Sequence, residues 1–233
     1  MKVLKRFSLV GLIFIMFFSS ISPALAAYKE PTPGHLQNKK IEKKLDKQGK
    51  KELKKFNKKY TENIKFKQIP RFVEIGESIW VYYDVKNNNT SFFGVEFDKN
   101  TNKIKNTVSM VTEQKEDDTV DVIITANNNL TGEFNIRTSD NKFTSGWIVD
   151  NNDNKIDIVE YQKAQESKIQ IQIDPCLKRC LENAGVPDWV TTLMTTICGI
   201  ACLGGPIPCG ACLAFNAGIY AGKVLNCAQS CPA

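Results

Sequence analysis

Residues 78–97 read Ser78-Ile-Trp-Val-Tyr-Tyr-Asp-Val85, Lys86-Asn-Asn-Asn-Thr90, Ser91-Phe-Phe-Gly-Val-Glu-Phe97. Two runs of β-branched and aromatic residues flank a tract of turn-forming residues, which is the pattern of two strands and a tight connection. It repeats further on. Thr107-Val-Ser-Met-Val111 and Thr119-Val-Asp-Val-Ile-Ile-Thr125 predict strands, with Asp98–Asn102 and Asn127–Asn129 as turns. Shorter strands are expected around Glu133–Arg137 and Gly146–Val149. Strand after strand with short connections implies an antiparallel meander.

Upstream, residues 28–35 form an extended start with two prolines. From Leu36 to Tyr60, Ile41, Leu45, Leu53, Phe56 and Tyr60 recur at helical spacing, and Lys fills most other positions. Gly49 interrupts that stripe and is the point at which the helix could split. The narrow apolar stripe predicts packing on the sheet with the lysines in water. The competing reading is a basic helix lying on an anionic membrane or cell-wall surface. The fold class expected is an α+β N-terminal domain (basic helix plus antiparallel sheet) followed by a small all-α disulfide-rich module.

Charge divides the chain in the same way. Residues 27–70 carry 14 Lys against five acidic side chains, and residues 71–174 carry 11 basic against 18 acidic. The overall formal charge of +6 therefore describes no single part. A nucleic-acid partner is not expected, because the Lys-rich stretch lacks interleaved groups that read bases.

The first 26 residues have the three parts of a secretory signal. Lys2, Lys5 and Arg6 precede the apolar run Leu9–Phe18, and Ala24-Leu25-Ala26 forms a small-residue cleavage site before Ala27 or Tyr28. The run falls short of the roughly 20 residues a spanning helix needs. Signal peptidase is thus an expected partner, and the expected localisation is secreted, extracellular.

All eight cysteines lie between Cys176 and Cys231. They form four pairs about one helical turn apart: Cys176/Cys180, Cys198/Cys202, Cys209/Cys212 and Cys227/Cys231. Such spacing puts both sulfurs of a pair on one helix face. After export these thiols become disulfides. Four short helices are expected: Cys176–Ala184 stopped by Gly185, Trp189–Leu203 capped by Asp188, Cys209–Ala221, and Val224–Cys231. Joining successive antiparallel helices by parallel rungs suggests Cys176–Cys202, Cys180–Cys198, Cys209–Cys231 and Cys212–Cys227, one of many connectivities that eight cysteines allow. Zinc binding and thioredoxin-like redox chemistry at Cys209-Gly-Ala-Cys212 are the less favoured uses of these thiols.

No charged residue occurs from Trp189 through Gly222. Trp189, Leu193, Ile197, Ile200, Leu213 and Phe215 are the candidate membrane-contacting side chains, either as the buried centre of the module or as an apolar hairpin that enters a bilayer. The expected organisation is thus a signal peptide (1–26), a basic helical segment (27–63), a β-rich domain (64–174) and a cysteine-rich helical module (175–233).

Asp150–Glu160 resembles an EF-hand loop, with Asn151, Asp153, Asp157 and Glu160 at ligand-bearing positions. Val149 stands where the first Asp belongs and Asn154 where the turn Gly belongs. A hydrated Asn/Asp turn before a short helix is the favoured expectation, no cofactor is required, and calcium is the alternative. His35 is the only histidine, which removes Ser/His and Cys/His catalysis. An enzyme is not expected.

These residues together resemble a halocin-type cysteine-rich bacteriocin precursor. The resemblance rests on the signal ending Ala24-Leu25-Ala26, and on Cys198-Gly-Ile-Ala-Cys202, Leu-Gly-Gly-Pro-Ile-Pro, Cys209-Gly-Ala-Cys212 and Cys227/Cys231. It implies a secreted antimicrobial precursor whose 27–174 region restrains the C-terminal peptide intramolecularly. A processing protease would cut near Lys168–Asp174, and the freed helices would act on the target-cell membrane. The alternative is a secreted cell-surface or binding protein with a structural disulfide-rich tail.

Overall fold

The computed structural model describes residues 36, 38–61, 64–149, 154–166, 175–202 and 215–231. The signal with Ala24, Ala26 and Ala27, the start at 28–35, the loop residues Asn151 and Asp153, the 167–174 linker, and Cys209, Cys212 and Leu213 lie outside the described residues.

Helix α1 spans Lys39–Tyr60. Asn38 caps it, its side-chain oxygen accepting from the backbone N–H groups of Lys40 and Ile41 at 3.1 and 3.2 Å. The helix runs unbroken through Gly49, where the sequence leaves a split open. The reason is packing: Gly49 is buried, and a Cβ there would lie 2.4 Å from the Tyr83 hydroxyl oxygen. Glycine here lets the helix approach the sheet.

The sheet has eight antiparallel strands in simple chain order. They are β1 (Arg71–Ile75), β2 (Ser78–Val85), β3 (Asn88–Asp98), β4 (Ile104–Gln114), β5 (Thr119–Ala126), β6 (Asn129–Arg137), β7 (Lys142–Val149) and β8 (Lys155–Asp157). The six strands expected from sequence are β2 to β7; β1 and β8 are additional. The turns fall on residues that tolerate positive φ, among them Asn87, Asn102, Asp118 and Asn141. Asn127 and Asn128 both have positive φ, the backbone that a two-residue turn needs to match strand twist.

Successive side chains of a strand point to opposite faces, and here both faces are covered. On one face, Leu45 and Phe56 of α1 share a core with Phe72, Ile79, Val81, Tyr83, Phe93 and Val95. On the other, β1 to β7 share a core with the C-terminal segment. Adjacent Phe93 and Phe92 show the division. Phe93 stacks on Phe56 at 5.0 Å, whereas Phe92 meets Phe215 edge-on at 5.6 Å. Accordingly β2 is buried at all eight positions instead of alternating.

After β8, α2 (Ile158–Glu166) returns along β7 with Ile158 in the second core. The C-terminal segment contributes α3 (Pro175–Asn183), α4 (Asp188–Cys202), a helical turn at 215–218, a 3-10 turn (Ile219–Gly222) and α5 (Lys223–Ser230). The change at Pro175 is one of composition; the apolar core is continuous across it.

Candidate functional site: the seated face of the C-terminal helices

Two disulfides join α3 to the α5 end of the segment: Cys176–Cys231 and Cys180–Cys227, with Cα separations of 5.7 and 5.5 Å. The rungs are parallel, as the one-turn spacing predicts, but they connect the first helix with the last. All four expected pairings are thereby overturned, since Cys176, Cys180, Cys227 and Cys231 each have a different partner. Cys198 is also in a disulfide, and it is not with Cys180. The physical reason is lateral order. Helices that lie side by side on a sheet are paired by where the sheet holds them, and α4 is held by its apolar face.

Local sequence sets that arrangement. Gly185 ends α3 at φ +70°, with Val186 N donating to Leu181 O and Gly185 N to Glu182 O, both at 2.9 Å. This double return satisfies the last carbonyls of α3 and buries Val186 in the core. Lys223 Nζ donates to Ala184 O at 3.2 Å, tying the start of α5 to the end of α3.

The described candidate membrane-contacting side chains all point inward. Leu193, Ile197 and Phe215 have no exposure, and Ile200 and Trp189 are nearly as buried. They share that burial with Val190 and Met194, and most of this set packs in one cluster with the sheet. In this fold they are seated, not presented. Gly218 permits a close approach, because a Cβ there would come within 2.6 Å of the Phe92 ring.

One polar clamp crosses this interface. Arg71 of β1 holds Asp84 of β2 bidentately, Nε to Oδ2 at 2.8 Å and Nη2 to Oδ1 at 2.7 Å. The same guanidinium donates to Ala217 O at 3.1 Å and Gly218 O at 3.0 Å, and it lies over the Tyr82 ring at 5.1 Å. The Arg71 side chain is only 13% exposed. Sequence reasoning missed it, since β1 was not expected. The available signal was an Arg opening a short apolar run after Pro70.

On the opposite face, Tyr83 donates to Asp46 O at 2.9 Å. Burial, reinforced by the Asp46 carboxylate, pushes its hydroxyl far above the ordinary tyrosine range. Beyond the reach of α1, the same face opens into a concavity of about 460 Å³ whose lining includes Glu113, Asp121, Ile123, Glu133, Asn135 and Trp147. Several of its groups pair with one another or with its rim. Lys115 bridges Glu113 and Asp121 at 2.9 and 3.2 Å, Asn135 donates to Asp121, and Lys155 sits 3.9 Å above the Trp147 ring.

Of the four candidate calcium ligands, Asp157 and Glu160 are described. Asp157 accepts from Val159 N and Glu160 N at 2.8 and 3.0 Å, and so caps α2; Glu160 lies exposed in the first turn of that helix. Among the described residues no three His, Cys, Asp or Glu side chains are grouped to hold a metal ion, and no helix is long and apolar enough to cross a membrane.

No protein-family model, curated protein or solved structure matches the chain.

Proposed function

We propose that the chain is a secreted antimicrobial (bacteriocin) precursor whose C-terminal helices form a self-contained all-α disulfide-rich module once freed. The observation carrying this reading is the seating of an uncharged helical segment on the sheet through apolar contacts. No disulfide joins it to the sheet, because every cysteine lies beyond residue 175. Cleavage within 167–174 would leave the two parts held only by noncovalent contacts.

The energetics favour restraint followed by transfer. Exposing a buried Trp, Leu, Ile or Phe to water costs about 2 kcal/mol each. Of these side chains Trp189, Leu193, Ile197 and Phe215 belong to the cluster shared with the sheet, so their separation in water costs at most roughly 8 kcal/mol, less whatever burial they keep against one another, before the entropy of separation is counted. A lipid bilayer offers the helices an alternative apolar surface and removes most of that cost. The 27–174 region thus acts as the intramolecular restraint, and the target membrane as the acceptor.

Mass spectrometry of culture supernatant tests the reading. The expected product is a peptide beginning within 167–175, eight hydrogens lighter than its reduced mass, one per cysteine. Only an uncut chain in the medium would refute it. A second reading, a secreted binding protein with a structural tail, is favoured by the continuous core between sheet and helices. Dye leakage from anionic vesicles separates the two, since only a released membrane-active peptide produces it.

A further inference from the structure

All eleven lysines of α1 are exposed, while its apolar residues face the sheet. At 3.6 residues per turn, Lys39, Lys40, Lys43, Lys44, Lys47, Lys50, Lys51, Lys54, Lys55 and Lys58 cover an arc of about 160° along roughly 33 Å of helix. The acidic residues of α1 stand at the margins of this arc and are partly buried. There Asp46 pairs with Lys50, and Glu52 with Lys55. Lys59 belongs to the docking of the helix, donating to Asn128 O at 2.9 Å.

This charge works against the helix that carries it. Eight Lys–Lys pairs stand four residues apart in α1, and each such pair is repulsive. The helix's own Asp46 and Glu52 offset part of this repulsion, at Lys50 and Lys55, and none of the ion pairs between described residues joins a ridge lysine to the acidic sheet region. An anionic partner lying on this ridge would relieve the repulsion and release its own counterions.

We infer that the lysine ridge of α1 is a docking surface for a linear polyphosphodiester, the chemistry of an anionic glycerol-phosphate polymer. Two observations favour a linear polymer over a bilayer. The apolar stripe that would insert into lipid is committed to Phe72, Val81, Tyr83 and Phe93 of the sheet core. The lysines also wrap an arc wider than one plane can touch, which a flexible chain can follow. The ridge is independent of whether the C-terminal helices are released.

The test uses the full chain with soluble poly(glycerol phosphate), and in parallel vesicles of phosphatidylglycerol and phosphatidylcholine mixed one to three. One variant carries Lys43→Gln, Lys47→Gln, Lys51→Gln and Lys54→Gln. A charge-matched control carries Lys86→Gln, Lys103→Gln, Lys142→Gln and Lys163→Gln, all exposed and outside α1. The ridge variant should bind the polymer about a thousandfold more weakly at low salt, at about 1 kcal/mol for each of four lysines, and its slope of log affinity against log salt should be shallower by about 3. The control should lose less than about threefold, because charges beyond a Debye length are screened. An unchanged thermal melt shows that each variant is folded. The inference is overturned if the native chain does not bind the polymer at low salt, or if the control loses as much as the ridge variant. Vesicle binding equal to or stronger than polymer binding per phosphate overturns it in favour of a bilayer.

Discussion

Replacing Arg71 with Met should weaken the seat of the C-terminal helices more than its position at a strand end suggests. The guanidinium makes two bonds to Asp84 and one to each of the Ala217 and Gly218 carbonyls. Removing one partner of a buried ion pair costs about 3–5 kcal/mol, because the other charge stays buried. Lys67 Nζ, 3.9 Å from Asp84 and half-exposed, offsets part of this, and the Met side chain keeps some contact with Tyr82. The net expectation is about 3 kcal/mol. Asp84→Asn should cost less, about 1–2 kcal/mol, since Arg71 keeps both carbonyls. The double variant should cost about 3 kcal/mol, short of the additive value by about 1–2 kcal/mol, as residues of one network do. Urea titration of the oxidised protein measures each, with the midpoint shifting and the slope unchanged. Hydrogen exchange should show the amides of 215–222 losing protection before those of β4–β6. A cost below about 1 kcal/mol for Arg71→Met, or strictly additive variants, would refute the clamp.

Three further perturbations follow from the same contacts. Gly49→Ala gains about 1 kcal/mol in a free helix, but with its Cβ 2.4 Å from the Tyr83 hydroxyl it should cost about 1–2 kcal/mol here. A stabilised variant would contradict the packing described. Tyr83 keeps its proton in the fold above the pH, about 10, at which the unfolded chain releases it. Stability it contributes is therefore complete below pH 10 and falls as pH rises beyond, by up to about 1.4 kcal/mol per unit. Tyr83→Phe should show a flatter decline between pH 9.5 and 11 in chemical unfolding, and equal slopes would rule this out. Replacing Cys180 and Cys227 together with Ala, leaving Cys176–Cys231 closed, should lower stability by about 2–3 kcal/mol, the value of a short additional loop. A thermal melt checks it, and an unchanged midpoint would mean the inner rung is redundant.

The strands were legible where pattern and turn chemistry agreed. The Asn tracts marked the turns because Asn tolerates positive φ, and β2 to β7 lie where the branched and aromatic runs put them. β1 escaped because five residues between Pro70 and Gly76 are too few to show a period, and β8 has only three. A further cue stood in plain view. Ser78–Val85 does not alternate, and a strand apolar on both sides belongs to a sheet covered on both faces. That cue points to a cover on each face of the sheet, which α1 and the C-terminal helices supply. The ladder failed for a different reason. Cysteines one turn apart fit a rung between any two antiparallel helices, and neighbourhood among helices is decided by what they rest on. Arg71 was invisible for the same cause, since its carbonyl partners lie 146 and 147 residues away.

The outer rung also has a mechanical meaning. Cys176 and Cys231 are 55 residues apart in the chain yet covalently adjacent. Tension applied beyond Cys231 passes through one S–S bond to Cys176 and on toward the 167–174 segment. The helices between them stay off the force path. Pulling on that end therefore bypasses the chain between the two cysteines and leaves α4 folded, so the load reaches the chain before Cys176 without disturbing the side chains seated on the sheet.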